Sequence, residues 1–434
     1  MRSDFLTEQM KVFKFGGASV KDAQSVSNVA SILKSFHAQN LVVVISAMGK
    51  MTNALEKVVN DYFYQKQDPH IALEEVKTFH YNIMKDLFKD DMHGVYQDVN
   101  NFFVEAEWVL EEKPDRPYNF IYDQVVSLGE LISTKIISAY LNEQGIKNTW
   151  LDVRDVIRTD NTYREGKIDW DTSGNNVKTE VLPLFTKEIQ VVLTQGFIGS
   201  TSENYTTTLG REGSDYTAAI FSYLTDAEEM CIWKDVPGVL NADPKFYKEA
   251  QKLEQISYHD AIELAYYGAT VIHPKTIKPL ENKSIPLHVK SFLKPEANGT
   301  VIRTDVQTKP LIPSYIFKTN QVLISISAKD FSFIAEDNLA NIFGVFAAHG
   351  VKINLIQNSA ISFSVCVDDD EFKVPALIEQ LQKDFKILYN SDLMLYTIRH
   401  YYQTTIDALT AGKEILLEQR SRHTAQFVLR EAKK

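Results

Sequence analysis

At 434 residues the chain exceeds one ordinary hydrophobic core and predicts two or three domains. Its 44% hydrophobic and 24% charged content suits a soluble globular protein, and a net charge of −11 without a dense Lys/Arg block argues against nucleic acid or an anionic membrane as main partner. No apolar run reaches the ~18 residues of a membrane span, and the first ten residues are too polar for a secretion signal, so a cytoplasmic protein is expected. From Met10 to about Val301, short apolar runs alternate with helical periodicity, which predicts an α/β sheet. The predicted strands are residues 12–15, 41–46, 149–152, 190–196, 230–233 and 287–290. Residues 22–36 put Val26, Val29, Ala30 and Leu33 on one helical face. Residues 55–112 interrupt the alternation; long, charged, aromatic-rich and helical in period, they predict an insertion covering one end of the sheet. Residues 303–314, with Pro310 and Pro313 and few apolar side chains, predict a linker. Beyond it one unit appears twice. The first copy reads as strand 322–326, helix 338–348, strands 351–357 and 360–367, then helix 374–384. The second reads as strand 393–398, helix 404–411 and strands 414–419 and 424–429, and it stops without a final helix. Two half-covered sheets with apolar faces are expected to pair, within the chain or between chains.

Two turns carry the chemistry. After the apolar run at 191–193, residues 206–218 read Thr-Thr-Thr-Leu-Gly-Arg-Glu-Gly-Ser-Asp-Tyr-Thr-Ala and lead into a helix at 218–221. A loop of hydroxyls, glycines and one arginine at a helix start is suited to hold anions. Residues 14–20, Lys-Phe-Gly-Gly-Ala-Ser-Val, repeat that logic after the first strand. Two anion-holding turns, each with a fixed cation, point to a phosphoryl donor and an acidic acceptor. Lys14 is suited to bridge phosphates whose oxygens the glycine N–H groups meet, and equally reads as a surface lysine at a tight turn. Asp215 reads either as the organiser of a lysine or magnesium, or with Ser214 as an ordinary helix cap. Arg211 offers a planar fork for a carboxylate. Glu130, at the start of a helix over 131–141, suits an ammonium group or simply the helix dipole. Arg211 and Glu130 together suit an amino acid, with Ser46, Thr52 and Asn53 as neutral donors. Residues 234–245 run from a strand into a turn at Pro237-Gly238, and their acids and bases make a candidate nucleotide rim. His273-Pro274 opens a helix. No zinc-spaced His/Cys cluster, Walker lysine motif or dinucleotide glycine turn occurs. Cys231 and Cys366 lie in apolar runs and read as reduced core thiols; the Asn-x-Thr matches at Asn204 and Asn298 read as chance.

In this order the motifs resemble those of the aspartate kinases of the amino-acid kinase family, the monofunctional lysine-regulated branch above all. The shared motifs are Lys14-Phe15-Gly16-Gly17, Ser127-Leu128-Gly129-Glu130, Thr194-Gln195-Gly196-Phe197, Gly210-Arg211 with Gly213-Ser214-Asp215, Asp235-Val236-Pro237-Gly238 with Asp243-Pro244, and His273-Pro274. The resemblance implies a three-layer α/β/α kinase domain over residues 10–302, followed at 313–434 by paired α+β ACT-like modules, about 315–390 and 391–434. Nothing resembles a homoserine dehydrogenase. It further implies MgATP-dependent phosphorylation of the side-chain carboxylate of L-aspartate, feeding lysine, threonine and methionine synthesis. Lys14 would stabilise the moving phosphoryl group and Asp215 would organise the cations. Arg211 and Glu130 would hold the α-carboxylate and α-ammonium, helped by Ser46, Thr52, Phe197, Thr208 and Ser214. Gly16, Gly17, Ser19, Lys234, Asp235, Leu240, Asp243 and Lys245 fall where the family contacts ATP. No protein metal ligand is assigned. An effector, lysine or threonine, would meet Asn338, Leu339, Ile353, Asn354, Ser359 and Ala360, and the paired modules imply a homodimer.

Five positions depart from the family pattern. Ala18 and Lys234 stand where threonine is usual, and Glu212 where glycine is usual, so that an acid beside Arg211 either pairs with it or points to solvent. Asn354 and Ala360 replace two acids of lysine-regulated relatives, and lysine feedback is expected to be weak, shifted to another amino acid, or missing. Other acceptors (glutamate, acetylglutamate, a nucleoside monophosphate) and a non-catalytic amino-acid sensor are the alternatives.

Overall fold

The central apolar runs become strands enclosed on both faces. Leu41–Ile45 and Val191–Gln195 are buried throughout, as strands covered on both faces must be. The computed structural model describes residues 10–36, 39–90, 92–111, 113–269, 272–306, 311–330 and 332–432. The leader reading at residues 1–9 and parts of three predicted segments (Glu112, Pro310, Lys434) lie outside them. The described residues form two compact units.

The first unit comprises the described residues of Met1–Val239, Glu254–Ile262 and Val271–Val306. In chain order it begins with β1 (Met10–Phe15), α1 (Ala23–Lys34) and β2 (Asn40–Ile45). Five helices follow: α2 (Met51–Phe63), α3 (Pro69–Leu87), α4 (Val95–Glu111), α5 (Tyr118–Val126) and α6 (Leu128–Glu143). Then come β3 (Asn148–Leu151), α7 (Trp170–Asn176), β4 (Val191–Gln195), β5 (Ile198–Ser200), β6 (Thr206–Thr208), α8 (Gly213–Leu224) and β7 (Glu229–Lys234). β8 (Gln255–Ser257), α9 (Tyr258–Tyr267, reaching into the other unit), α10 (Pro274–Asn282), β9 (Leu287–Ser291) and β10 (Thr300–Arg303) complete the order. Eight strands make one sheet in the order β3-β4-β2-β1-β7-β9-β10-β8, parallel except between β9 and β10. The short β8 and β10 were not predicted. Thr206–Thr208, read as loop, pairs with Ile198–Ser200 instead, three consecutive β-branched residues being well suited to a strand. The helical stretch begins at Met51 rather than residue 55. Within it α6 is buried at twelve of its sixteen positions, the mark of a helix surrounded by other elements.

The second unit comprises the described residues of Leu240–Leu253, Glu263–Thr270 and Gln307–Lys434. It holds β11 (Ser314–Ala328), α11 (Glu336–Ala348), β12 (Ile353–Asn358), β13 (Ser362–Asp368), α12 (Lys373–Gln382), β14 (Phe385–Arg399), α13 (Gln403–Thr410), β15 (Lys413–Arg420) and β16 (Thr424–Glu431). Instead of two sheets there is one, of six strands, in the order β12-β13-β11-β14-β16-β15. β11 and β14, fifteen residues each, run through both repeats: Leu323–Ala328 faces Phe385–Asn390, whereas Ser314–Lys318 faces Leu395–Arg399. The second repeat thus takes a strand from upstream of the first. The helix it lacks is replaced by residues 242–250, whose Ala242, Tyr247 and Ala250 pack with Tyr315, Ile398 and Phe427. Asn241 ties that segment down, its amide donating to the Pro313 carbonyl at 2.9 Å and its own carbonyl accepting from Tyr315 N–H at 2.6 Å.

His80 of α3 is fully enclosed beside Phe79 and Phe103; Nδ1 lies 2.8 Å from the Val76 carbonyl and Nε2 has no hydrogen-bond partner. Burial pushes its pKa down to about 4. A histidine held neutral contributes stability that is complete above the ordinary value near 6.5 and is lost as pH falls through 4. The loss approaches about 3 kcal/mol. Thermal midpoints measured from pH 7 to 4 should therefore fall more steeply for the wild type than for His80→Leu, and parallel slopes would refute the assignment.

Candidate active site

The carboxyl ends of β1, β2, β4 and β7 meet the starts of α6 and α8, the place where parallel sheets hold ligands. Close backbone approach makes this convergence feasible. A Cβ on Gly17 would lie 2.6 Å from the Gly49 carbonyl oxygen and 2.8 Å from that of Ala47, so the turn after β1 nests against the loop after β2 only as glycine. A Cβ on Gly196 would lie 2.5 Å from Cβ of Ser214, and its absence lets the first turn of α8 sit on the end of β4.

The convergence encloses a cavity of about 630 Å³. Lys14, Asp215, Lys234, Ser46, Thr52, Glu130, Phe197, Thr208, Arg211 and Ser214 all line it. At one end Lys14 Nζ stands 2.5 Å from Oδ1 of Asp215 and Lys234 Nζ 3.9 Å from Oδ2. The shorter contact lies off the hydrogen-bonding directions, leaving Oδ1 with a charge partner and no hydrogen bond. Burial disfavours the Asp215 carboxylate, but Lys14 and Lys234 outweigh it and hold the group below its ordinary range. Glu130 is the opposite case. It is 2% exposed; Oε1 accepts from Ala47 N–H at 3.3 Å and Oε2 has no partner. Burial pushes its pKa up to about 8, against the pull of that N–H and of Lys14.

The cap of α8 differs from expectation. Glu212, not Ser214 or Asp215, is the N-cap residue, in left-handed backbone at φ 53° with no side-chain cap. That conformation explains why glycine is favoured there, and holding a non-glycine residue in it costs about 1 kcal/mol or more. Glu212 neither pairs with Arg211 nor points wholly to solvent: it lines the cavity, with Oε2 enclosed and without a hydrogen bond.

Of the nucleotide-side residues, Gly16 and Gly17 form the turn beside Lys14, and Asp235 is exposed just past β7. Ser19 is buried and donates to the Trp233 carbonyl at 3.4 Å, away from the cavity lining. Leu240, Asp243 and Lys245 belong to the second unit. There too Asn354 is engaged by the chain itself. It accepts from Lys318 Nζ at 2.8 Å and donates to Gln321 Oε1 and Asp368 Oδ1, both at 2.9 Å. Leu339 and Ile353 pack on the first repeat's core. Asn338 donates to the Phe333 carbonyl, the Ser359 hydroxyl meets that of Ser362, and the Ala360 carbonyl accepts from Ile334 N–H.

Three cavity residues, Tyr122, Arg164 and Glu165, and the buried Asp123 behind them are absent from every motif quoted. Asp123 is fully buried; Oδ2 accepts from the N–H groups of Arg164 and Thr208, both at 2.9 Å, and Oδ1 from the Thr208 hydroxyl at 2.7 Å. An acid inside the apolar helix 121–126 was the available signal.

The family model described as "Amino acid kinase family" matches residues 9–291. The chain is 30% identical over 360 residues to the lysine-sensitive aspartokinase 3 of Escherichia coli, covering 83% of this chain and 78% of that protein. Among solved structures, E. coli aspartokinase III in complex with lysine and aspartate matches with a TM-score of 0.82 at 26% identity, covering 96% of this chain and 95% of that one. The same enzyme in complex with aspartate and ADP matches at 0.81 and 26%, covering 97% and 96%. With Lys14, Glu130, Arg211 and Asp215 gathered around one cavity, the chain belongs to the amino acid kinase family, and within it to the aspartokinases.

Proposed function

We propose that the chain transfers the γ-phosphoryl group of ATP to the side-chain carboxylate of L-aspartate, giving 4-phospho-L-aspartate and ADP for lysine, threonine and methionine synthesis. One observation carries the reading: a single cavity joins a lysine pair suited to phosphates with an acid and an arginine suited to an amino acid. The acceptor carboxylate is already ionised, so no general base is required; positioning and charge neutralisation suffice. Lys14 and Lys234 attract the phosphates, and Lys14 follows the charge that develops as the bond to the ADP oxygen breaks and the bond to the carboxylate oxygen forms. Asp215, its Oδ1 buried without a hydrogen bond, is the group suited to hold Mg²⁺, which supplies charge neutralisation on the phosphates. Arg211 takes the α-carboxylate and Glu130 the α-ammonium, with Ser46, Thr52, Phe197, Thr208 and Ser214 around them.

The second unit supplies amino-acid feedback and the contacts of a homodimer in the cytoplasm. Lysine feedback is weak or redirected, because Ala360 offers no carboxylate and the Asn354 amide is committed to Lys318, Gln321 and Asp368.

ATP, magnesium, L-aspartate and hydroxylamine should give a hydroxamate, and glutamate should not. Lys14→Ala should lower turnover at least 100-fold; activity within tenfold of wild type would refute the role. No hydroxamate from protein that still binds ATP would make the chain a sensor or a kinase for another acceptor. For Glu130 the protonated form cannot pair an ammonium, so kcat/KM for aspartate should rise with pH up to about 8. Glu130→Gln should abolish that acid limb, and an unchanged pH profile would dismiss the assignment. In the same assay lysine should inhibit only at millimolar concentration or not at all; inhibition at micromolar lysine would overturn the account of Asn354 and Ala360.

A further inference from the structure

Three non-glycine residues with left-handed backbone, Arg164 at φ 68°, Phe197 at φ 71° and Glu212 at φ 53°, line the same cavity. Such backbone persists where the surroundings over-determine it and gathers at ligand clamps. Arg164 is the most firmly fixed of them. Its N–H shares the buried Asp123 carboxylate with Thr208. Two residues on, Gly166 N–H donates to the Thr208 carbonyl at 2.9 Å. A Cβ on Gly210 would lie 3.1 Å from the Arg164 carbonyl oxygen, so this turn runs against the backbone that carries Arg211. The side chain is equally defined. The guanidinium lies 4.1 Å from the centroid of the Tyr122 ring, and its one ion-pair partner among the described residues is Glu56, at 3.5 Å. Both members of that pair are more than a third exposed, and such a rim pair is weak and exchangeable.

Two guanidinium groups therefore rise from adjoining backbone into the same cavity, and only one of them has been given a task. We propose that Arg164 is a second acceptor-reading arginine: it gives up Glu56 and, lying on the Tyr122 ring, binds the α-carboxylate of the amino-acid acceptor alongside Arg211. The proposal rests on the aspartate kinase reading and adds to it a specificity-determining residue. A stacked guanidinium offers two parallel N–H groups in one plane, the geometry a carboxylate matches. Two arginines on one carboxylate select an acceptor whose α-acid is free, and disfavour peptides and amides that share the same side chain.

The test is steady-state kinetics of the full chain with L-aspartate and with its α-amide. The variants are Arg164→Gly, which fits the left-handed backbone without strain, and Arg164→Lys, which keeps the charge and loses the fork. With aspartate, Arg164→Gly should raise KM about 10- to 100-fold, the range expected for a lost hydrogen bond to a charged group, with the loss in KM rather than in kcat. Arg164→Lys should recover part of it. With the α-amide the same substitution should change KM less than threefold. Equal losses for the two acceptors would overturn the proposal in favour of a packing role, and an unchanged aspartate KM or a raised ATP KM would overturn it outright. Wild-type protein that forms no aspartyl phosphate would remove the reading and this proposal with it, a result distinct from any variant effect.

Discussion

Asp215 is ionised where its surroundings resist ionisation, and two lysines from neighbouring strands keep it so. Its carboxylate is 3% exposed, and without Lys14 and Lys234 burial alone would favour the protonated acid. The lysines reach it because β1 and β7 lie side by side in parallel register, Lys14 opposite Ile232 and Phe15 opposite Trp233. Asp215 reaches them because the first turn of α8 is seated on the strand ends, which in turn needs the bare backbone of Gly196 against Ser214. Strand order, helix placement and glycine spacing thus all serve one buried ionic cluster. Removing one member would leave its partners as uncompensated buried charges, which is far more damaging than losing a surface pair.

The cavity separates two kinds of carboxylate. Asp215, flanked by cations, is driven toward the ionised form; Glu130, on a helix enclosed on all sides, is driven toward the neutral one. The neutral acid must release its proton before it can pair an ammonium, and that pair is then made where water is excluded. Arg211, by contrast, is exposed. The phosphoryl end is preorganised, whereas the amino-acid end is completed by its ligand.

Much of this was legible in the residues. The six predicted strands exist because short apolar runs leave few alternatives in a doubly covered sheet, and the motif residues sit at strand ends, as Lys14 and Lys234 do, or at helix starts, as Glu130 and Asp215 do. Three things were hidden. β8 and β10 are three and four residues long and carry no periodic signal of their own. Arg164 and Asp123 act through backbone N–H groups and a left-handed turn, and a sequence announces positive φ clearly only when glycine occupies it. The exchange at β11 was hidden because a repeat invites contiguous boundaries, and nothing in residues 314–318 says which half they serve. The same blindness applied to Glu212, whose departure from glycine was visible but whose enclosure was not.

That exchange reaches beyond topology. Because Ser314–Lys318 emerges ahead of the first repeat yet is framed by the second, the second half cannot close until the whole intervening repeat has been made and folded out of the way. During synthesis this strand must wait for β14 and β16 before it has the sheet neighbours of its own half. Near residue 391 β14 runs on from one repeat into the other, with its pairing to β11 irregular between Asn390 and Leu395 and Asp392 at φ 56°. Cutting, swapping or duplicating the chain there would divide a strand rather than separate two modules. A tug on either half is therefore felt by the other along two shared strands, as in a woven strap rather than a hinge.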